Sequence, residues 1–381
     1  MTARSLLKQL IPAALRAPLD KVLRPLFALP HVLRIMLMKP VADGKLYVFY
    51  GRRRIPSRSV LAVGGIVKTQ LMQEDFPNSP RRFNILYFVS SRMPYDAVQV
   101  AWCARKKGVR LVWNQNGVAY PAWHGPGWEA INAPMAILHG NAEYVFYQSQ
   151  FCRLSAERYL GKREGPCEVL YNSVDTEAFR PAQSDPDPKH LVLLLAGTQY
   201  QYYRLACALQ VLAEVIRRRP DARLLITGRL CWIPDEAEAG RIARRLTVQL
   251  GVQDRVVFLG SYAQTDAPDV FRQAHLLLHT KYNDPCPGAV IEAMACGLPV
   301  VYSDSGGVPE LVGQNAGIGI PVERSWEKDI PPDPHAMAAA VWEVAERRTE
   351  FSTAARQRAV EKFDVRPWLQ RHREVFEKVV R

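Results

Sequence analysis

One segment limits the fold of this chain more than any other. An apolar run, Leu276–His279, leads into a loop with Pro285 and Pro287, a short helical pattern that opens near Gly288, and a second apolar run at 299–302. Two buried strands joined by a helix form a right-handed crossover between parallel strands of one sheet. Open parallel sheets bind ligands at the carboxyl ends of their strands. The segment therefore predicts an α/β fold with a binding loop directly before the helix.

The loop and the helix carry two carboxylates, Asp284 in the loop and Glu292 one turn into the helix. An ionised carboxylate only accepts hydrogen bonds, so it suits a partner rich in hydroxyl groups. The helix start offers free N–H groups and the positive end of the helix dipole to an anion. Together these features indicate a nucleotide-sugar ligand. The alternative is an ordinary crossover in which Glu292 merely stabilises the helix start.

This segment resembles the retaining glycosyltransferases of the GT-B fold, family GT4. Their motif is an acidic residue, seven residues and Glu, followed by Ala-Met-Ala-x-Gly-x-Pro-Val-Val, which here runs from Asp284 to Val301. Asp284 stands where the family more usually has Glu. The segment 171–181 also resembles a family junction, with Ser173 in place of Gly. The resemblance covers roughly residues 45–365 and implies two Rossmann-like, doubly wound parallel-sheet domains facing a central cleft.

The alternation of apolar runs predicts the domain boundaries. Strand-like and helix-like runs alternate over residues 45–180 and again over residues 190–365, as is typical of parallel sheets with crossover helices. The stretch between these two regions contains three Pro and two Asp, a composition that predicts a linker. The resemblance implies an acceptor-side first domain, a nucleotide-sugar-binding second domain, and a last helix, residues 366–381, that crosses back to the first domain.

The basic charge lies in the first half of the chain. Residues 1–180 hold 25 Lys and Arg against 12 Asp and Glu, whereas residues 181–381 hold 25 of each. Residues 1–44 are predicted to be a basic amino-terminal extension, too interrupted by proline and charge to span a membrane. This extension either binds an anionic membrane surface through short amphipathic helices or packs on the protein. A solvated basic face explains the charge equally well; nucleic acid explains the charge but not the motif.

The resemblance also implies roles for individual residues. Glu292 is expected to hold the ribose hydroxyls, and Asp284 hydroxyls of the donor sugar; with Arg204 they form the expected catalytic set. The leaving diphosphate needs cations, and of the two that the family places after the first strand of the second domain this chain has only Arg204. Arg229 or Lys281 is a candidate for the missing one. The expected donor-binding residues are Gly64, Gly65, Arg204, Asp284, Pro287, Gly288, Ala289 and Glu292.

On the acceptor side the family often has a His, where this chain has Asn114, Gln115 and Asn116. Amides can position a hydroxyl but cannot act as bases. His124, close to two tryptophans, is a further candidate for the acceptor cleft. The resemblance implies no metal and no cofactor, and the seven cysteines include no Cys-x-x-Cys pair.

The sequence thus predicts a glycosyltransferase of the hexosyltransferase type that moves a sugar from a nucleotide sugar to a glycolipid or polysaccharide, in bacterial cell-surface polysaccharide synthesis. It is expected in the cytoplasm, peripheral on the inner face of the plasma membrane. Two alternatives stay open. One is a nucleotide-sugar epimerase of the same fold. The other is a non-catalytic protein that binds a sugar nucleotide, which the missing second cation favours.

Overall fold

The structure, a computed structural model, describes residues 29–41, 43–62 and 64–381. The first 28 residues of the predicted basic extension lie outside this part, so membrane binding by that stretch stays a prediction. No helix within the described ranges is long and apolar enough to cross a membrane.

The described end of the extension is helical at residues 29–36. Ile35 is buried in the core of the first domain, together with Met38. Leu33 and Leu37, by contrast, are exposed. This helical segment therefore packs on the protein through one face and presents apolar side chains on the other.

The first domain contains a five-stranded parallel sheet whose strands follow chain order. The apolar runs of the sequence supply its strands: β1 (Val48–Phe49), β2 (Ile85–Val89), β3 (Arg110–Gln115), β4 (Tyr144–Tyr147) and β5 (Cys167–Val169). The connecting helices are α1 (Gly65–Leu71), α2 (Ala97–Lys106), α3 (Pro121–His124), α4 (Trp128–Asn141) and α5 (Gln150–Tyr159), with a 3₁₀ turn at Ser90–Arg92. Two hydrophobic clusters, one on each face, bury the sheet. Burial on both faces explains why β2 and β4 are continuously apolar instead of alternating.

The second domain contains a six-stranded parallel sheet in the order β11-β10-β9-β6-β7-β8. Its strands are β6 (Val192–Leu195), β7 (Arg223–Thr227), β8 (Val256–Gly260), β9 (Leu276–His279), β10 (Val300–Asp304) and β11 (Gly317–Pro321). Its helices are α6 (Tyr202–Val215), α7 (Glu236–Gln249), α8 (Ala267–Phe271), α9 (Gly288–Ala295), α10 (Val308–Val312), α11 (Pro334–Glu346) and α12 (Arg348–Phe363), with a 3₁₀ turn at Gln253–Arg255. The strand order reverses between β6 and β9, and a crevice opens there beyond the carboxyl ends of the strands.

The last helix, α13 (Val365–Val380), follows the second domain in the chain but packs on the first. Its apolar face buries Trp368, Val375 and Phe376 among side chains of the first sheet. Trp368 and Val375 are seven residues apart, which is about two helical turns, so they lie with the adjacent Phe376 on one stripe of the helix. The helix begins at Val365 because the Asp364 carboxylate accepts a hydrogen bond from the Arg366 N–H at 2.9 Å.

The two domains contact each other directly on one side of the cleft. The Glu310 carboxylate of the second domain accepts hydrogen bonds from the N–H groups of Gln150 and Phe151, at 2.7 and 2.9 Å. These N–H groups open helix α5 of the first domain, where a negative charge is favoured. The Phe151 ring stacks on Trp326 with 5.1 Å between the ring centroids. Polar and aromatic contacts thus join the domains beside the crevice.

Candidate active site

A cleft of about 630 Å³ lies between the domains and is lined by residues of both. It covers the point where the strand order reverses, because the loops after β6 and β9 form part of its wall. All eight residues expected to bind the donor line this cleft: Gly64, Gly65, Arg204, Asp284, Pro287, Gly288, Ala289 and Glu292. The fold therefore brings together residues that are more than 200 positions apart in the sequence.

The loop between β9 and α9 is held in a fixed and unusual conformation. Asn283 has a φ of 48°, a left-handed conformation that non-glycine residues seldom adopt. Its N–H donates to the Ser305 hydroxyl at 2.9 Å and its amide donates to the Ser325 carbonyl at 3.0 Å. Gly306 packs against the loop so closely that a Cβ there would lie 2.4 Å from the Asp284 carbonyl oxygen. These contacts fix the position of Asp284.

Asp284 is a buried carboxylate surrounded by nitrogen groups. Lys281 Nζ lies 3.1 Å from its Oδ1, and His279 Nε2 lies 3.3 Å from its Oδ2. Burial would raise the pKa of Asp284, but Lys281, His279 and Arg204 together hold that pKa below its ordinary value. Asp284 is therefore ionised and can accept hydrogen bonds from hydroxyl groups in the cleft. Burial lowers the pKa of His279 despite the neighbouring carboxylate.

Glu292 lies on α9 with part of its surface facing the cleft. Its Oε1 accepts a hydrogen bond from Gln264 Nε2 at 2.8 Å. Burial raises the pKa of Glu292, and the Gln264 amide opposes that rise. Pro287 occupies the N-cap position of α9, and no side chain of the described residues caps this helix start. The first N–H groups of α9, at Gly288 and Ala289, therefore lie at the cleft without a capping partner.

Arg204 lies in the first turn of α6 and is buried at the cleft. One guanidinium nitrogen, Nη1, donates to the Thr198 carbonyl oxygen at 2.7 Å. The Thr280 hydroxyl donates to the Arg204 carbonyl oxygen at 2.8 Å, which links the loop after β9 to α6. Burial lowers the pKa of Arg204, and the Asp284 carboxylate opposes this shift. Arg204 is thus a cation held inside the cleft, and not a solvent-facing residue at a helix start.

The two other candidate cations also line the cleft, but each already has a carboxylate partner. Arg229 is half-exposed and forms an ion pair with Glu236. Lys281 pairs with Asp284 and also lies 4.9 Å from the centroid of the Trp123 ring. Either cation would have to share its charge with that partner when it met a phosphate.

The three acceptor-side candidates lie in different places. Asn116 lines the cleft and donates to the Ser91 hydroxyl at 2.8 Å. Asn114 is fully buried behind the cleft wall. His124 is exposed and does not line the cleft; the neighbouring Trp123 does. Successive residues of a helix point about 100° apart, so in the short helix α3 the two side chains face different directions. Of these two residues only Trp123 lines the cleft, and an acceptor-side role for His124 stays a prediction.

Among the polar side chains of the cleft wall that the sequence analysis did not identify are Lys68 and Trp368. Lys68 lies on α1, three residues after Gly65, and Trp368 lies on α13. Ser173 also lines the cleft, where the family junction has Gly. The sequence signal for Lys68 is a single charged residue in an otherwise uncharged helix that begins at the glycine pair. Within the described residues, no group of three or more His, Cys, Asp or Glu side chains is arranged to hold a metal ion.

Part of this chain is similar in sequence to known proteins. Residues 190–347 match the family described as glycosyl transferases group 1. One component of the human phosphatidylinositol N-acetylglucosaminyltransferase is 29% identical over 149 residues, which are 39% of this chain and 29% of that protein. The D-inositol 3-phosphate glycosyltransferase of Mycobacterium sp. (strain KMS) is 30% identical over 152 residues, 38% of this chain and 33% of that protein. Each match spans about a third of the curated relative.

The solved structures extend the likeness to most of the chain. Anabaena Alr3699/HepE in complex with UDP has a TM-score of 0.66 at 18% identity, covering 88% of this chain and 100% of that one. At this identity the likeness shows the fold alone. The predicted α/β architecture of the GT-B type is confirmed, with parallel sheets of five and six strands.

Proposed function

We propose that this chain, whose residues 190–347 form a group 1 glycosyltransferase domain within the GT-B fold, is a retaining hexosyltransferase. It moves a sugar from a nucleotide-sugar donor to a glycolipid or polysaccharide. The observation that supports this most is the position of Asp284 and Glu292. Both lie in one cleft, at the strand-order reversal, on either side of an uncapped helix start. Carboxylates that accept hydrogen bonds from hydroxyl groups, next to N–H groups that bind an anion, match a nucleotide sugar, in which sugar, diphosphate and ribose follow one another.

In the donor complex, Glu292 accepts hydrogen bonds from the ribose and Asp284 from the sugar. The first N–H groups of α9 and the Arg204 guanidinium face the diphosphate and stabilise the negative charge that develops on it. Gly64 has open space where a side chain would stand, which lets the loop before α1 approach the donor. Each part of the donor then has a complementary group in the cleft.

The transfer exchanges one bond at the anomeric carbon for another. The bond from this carbon to the leaving phosphate oxygen breaks, and a bond to the acceptor oxygen forms on the same face of the sugar. The acceptor proton passes to the departing phosphate oxygen. This route suits a cleft whose acceptor side carries the amide Asn116 in place of a base. It requires neither a metal nor a cofactor.

A membrane-associated acceptor is supported by the surface of the first domain. Residues 1–180 carry the formal excess of positive charge. The helical segment 29–36 adds exposed apolar side chains, among them Leu29, Leu33 and Met36. Basic charge next to apolar side chains favours the surface of an anionic membrane. We therefore place the protein in the cytoplasm, peripheral on the inner face of the plasma membrane, in bacterial surface-polysaccharide synthesis.

The decisive experiment measures release of free nucleoside diphosphate. UDP, GDP and ADP and their sugars are first ranked by how much each raises the unfolding temperature, and the preferred sugar nucleotide is then incubated with and without lipid extract. A transferase releases diphosphate only with acceptor, and proton NMR of the product then shows the donor's anomeric configuration. Epimerised donor without transfer would indicate the epimerase. Stabilisation by nucleotide without any turnover would indicate the non-catalytic protein.

A further inference from the structure

Lys68 is a buried cation without an acidic partner among the residues that the structure describes. Its side chain is only 5% exposed, yet it lines the cleft. The ammonium group donates to Asn114 Oδ1 at 2.6 Å, and within the described part of the chain it forms no ion pair with a carboxylate. Burial lowers the pKa of Lys68 to about 7. A buried charge is costly unless an opposite charge pairs with it, so this position favours an anionic ligand.

Trp368 places a second hydrogen-bond donor in the same wall. Its side chain is 4% exposed and lines the cleft, and its indole Nε1–H finds no acceptor among the described residues. The ring is held by His372, whose ring centroid lies 4.0 Å away. Burial lowers the pKa of His372, and the nearby Lys68 charge lowers it further. A buried N–H without an acceptor is unfavourable, so a ligand that brings an acceptor is favoured there.

Ser173 provides the third donor at this place. The backbone of Val174 exchanges hydrogen bonds with the junction between α12 and α13: its N–H donates to the Phe363 carbonyl at 2.8 Å, and its carbonyl accepts from the Val365 N–H at 3.0 Å. This pairing brings Ser173 beside the first turn of α13, which carries Trp368. The Ser173 hydroxyl lines the cleft and has no partner in the described ranges.

We propose that Lys68, Ser173 and Trp368 form an oxyanion site for a phosphoryl group in the cleft. The chemistry selects a phosphoryl group because the three side chains supply an ammonium, a hydroxyl and an indole N–H, all of them donors. The site lies in the part of the cleft wall that the first domain and α13 form. The phosphoryl group belongs either to the donor diphosphate or to a phosphate on the acceptor.

This site adds a phosphate contact to the proposed function. It rests on that function only because it requires a substrate that carries phosphate. If the phosphate is the donor's, Lys68 supplies from the first domain the second cation that the loop after β6 lacks at Thr198. The diphosphate would then be held from both domains. If the phosphate is the acceptor's, the site selects acceptors that carry phosphate next to the reacting hydroxyl. Both cases give Lys68 a role that Arg229 and Lys281, each paired with a carboxylate, do not fill.

The test uses inorganic pyrophosphate and inorganic phosphate as probes, because both are independent of the nucleoside and of turnover. Calorimetric titration compares the parent with Lys68→Met and Trp368→Phe, the second of which removes the N–H but keeps a ring in the core. We expect Lys68→Met to weaken binding of the probe at least about tenfold and Trp368→Phe a few-fold. Lys68→Arg should restore much of the affinity. Lys162→Met and Trp102→Phe, both exposed and outside the cleft, are the matched controls.

A second titration, with the preferred nucleoside diphosphate already bound, separates the two sources. Loss of the probe's binding in the parent assigns the site to the donor diphosphate. If the parent still binds phosphate, and if Lys68→Met and Trp368→Phe weaken that binding, the site belongs to an acceptor phosphate. The proposal is overturned if the parent binds neither probe, or if both variants bind the probes as the parent does. Because phosphate binding needs no transfer, the result is independent of whether the proposed transferase activity is found. Should Lys68→Met not fold, Trp368→Phe alone decides.

Discussion

The Ser149 hydroxyl donates a hydrogen bond to the Pro285 carbonyl oxygen at 2.6 Å, across the boundary between the two domains. The same hydroxyl oxygen accepts from the Cys152 N–H at 3.0 Å and so caps helix α5. Pro285 directly follows Asp284 in the loop of the proposed donor site. One side chain of the first domain therefore fixes both a helix start of its own domain and the ligand-binding loop of the other.

Ser149→Ala removes the helix cap and the contact between the domains in one step. Loss of a serine N-cap costs about 0.5–2 kcal/mol, and a further hydrogen bond about 1 kcal/mol. We expect the free energy of unfolding to fall by about 2 kcal/mol in urea titrations. Ser184→Ala, an exposed serine between the domains, is the matched control. Equal stability of Ser149→Ala and the parent would mean that this contact is not formed in solution.

Glu292→Gln should weaken binding of the free nucleotide. The substitution replaces a charged acceptor of ribose hydroxyls by an amide, and a hydrogen bond to a charged group contributes about 1.5–3 kcal/mol. The dissociation constant of the preferred nucleoside diphosphate, measured by calorimetry, is therefore expected to rise about tenfold or more. Glu238→Gln, on the outer surface of α7, should leave it unchanged. A dissociation constant equal to the parent's would contradict the assignment of Glu292 to the ribose.

Asp284→Asn should affect the intact donor and spare the free nucleotide. The amide keeps the size of the side chain but loses the negative charge that Lys281 and His279 surround. We expect slower turnover of the sugar nucleotide, while the affinity for the nucleoside diphosphate stays within about twofold, since the proposed contact is to the sugar. If the variant binds the diphosphate as poorly as it binds the donor, Asp284 does not contact the sugar.

Arg204→Ala should lower kcat far more than it weakens donor binding. Charge builds on the leaving phosphate only as the glycosidic bond breaks, so the guanidinium contributes most in the transition state. Loss of one preorganised donor of this kind costs on the order of 10²–10³ in kcat. Arg204→Lys should recover only part, because an ammonium does not reproduce the planar fork.

Single alanines at Arg229 and Lys281 test the competing assignment. Both side chains already have carboxylate partners, so we expect their loss to change kcat only a few-fold. The opposite pattern, with a large loss at either position and a small one at Arg204, would move the cation on the diphosphate to that residue.

The depressed pKa of Lys68, about 7, makes a prediction about stability and pH. The Lys68 ammonium loses its proton near pH 10 in the unfolded chain but near pH 7 in the folded chain. Burying the charged ammonium therefore destabilises the folded parent most below pH 7, and this cost disappears as the pH rises toward 10. We expect Lys68→Met to be more stable than the parent by about 2–4 kcal/mol below pH 7, with the difference shrinking as the pH rises toward 10.

In the folded protein the groups around Lys68 do not titrate in the same window, and the unfolded-state titration of the cysteines is common to the parent and the variant. His372 on α13 has a pKa lowered by burial to about 3, and burial raises the thiol pKa values of Cys152 on α5 and of Cys286 in the loop before α9. The pH dependence of the stability difference therefore reports on Lys68. A stability difference that is constant between pH 6 and 9, in denaturant titrations, would contradict the assignment.

The second domain could be predicted from the sequence because its signals are local. The strand, the loop and the helix around Asp284 and Glu292 follow one another within thirty residues, and the prolines and glycines between them specify where each element ends. Fold class and the cleft follow from that pattern. The same reasoning found Arg204, since it directly follows the loop after the first strand of the domain.

Contacts between distant segments could not be predicted in this way. Lys68 and Trp368 meet at the cleft only because α13 returns to the first domain, 300 residues later in the chain. A sequence pattern shows that α13 has an apolar face but not which polar atoms of that face find a partner. In the four-residue helix α3, periodicity likewise does not determine which side chain faces the cleft; Trp123 lines it and His124 does not.

The return of α13 to the first domain also decides when that domain can finish folding. One face of its sheet is covered by Trp368, Val375 and Phe376, which are translated after the entire second domain. During synthesis, when domains normally fold as they emerge, this face would stay uncovered until the second domain had left the ribosome. The first domain is thus completed after the second, and the apolar face of its sheet must be protected for the time that about 190 further residues take to be added.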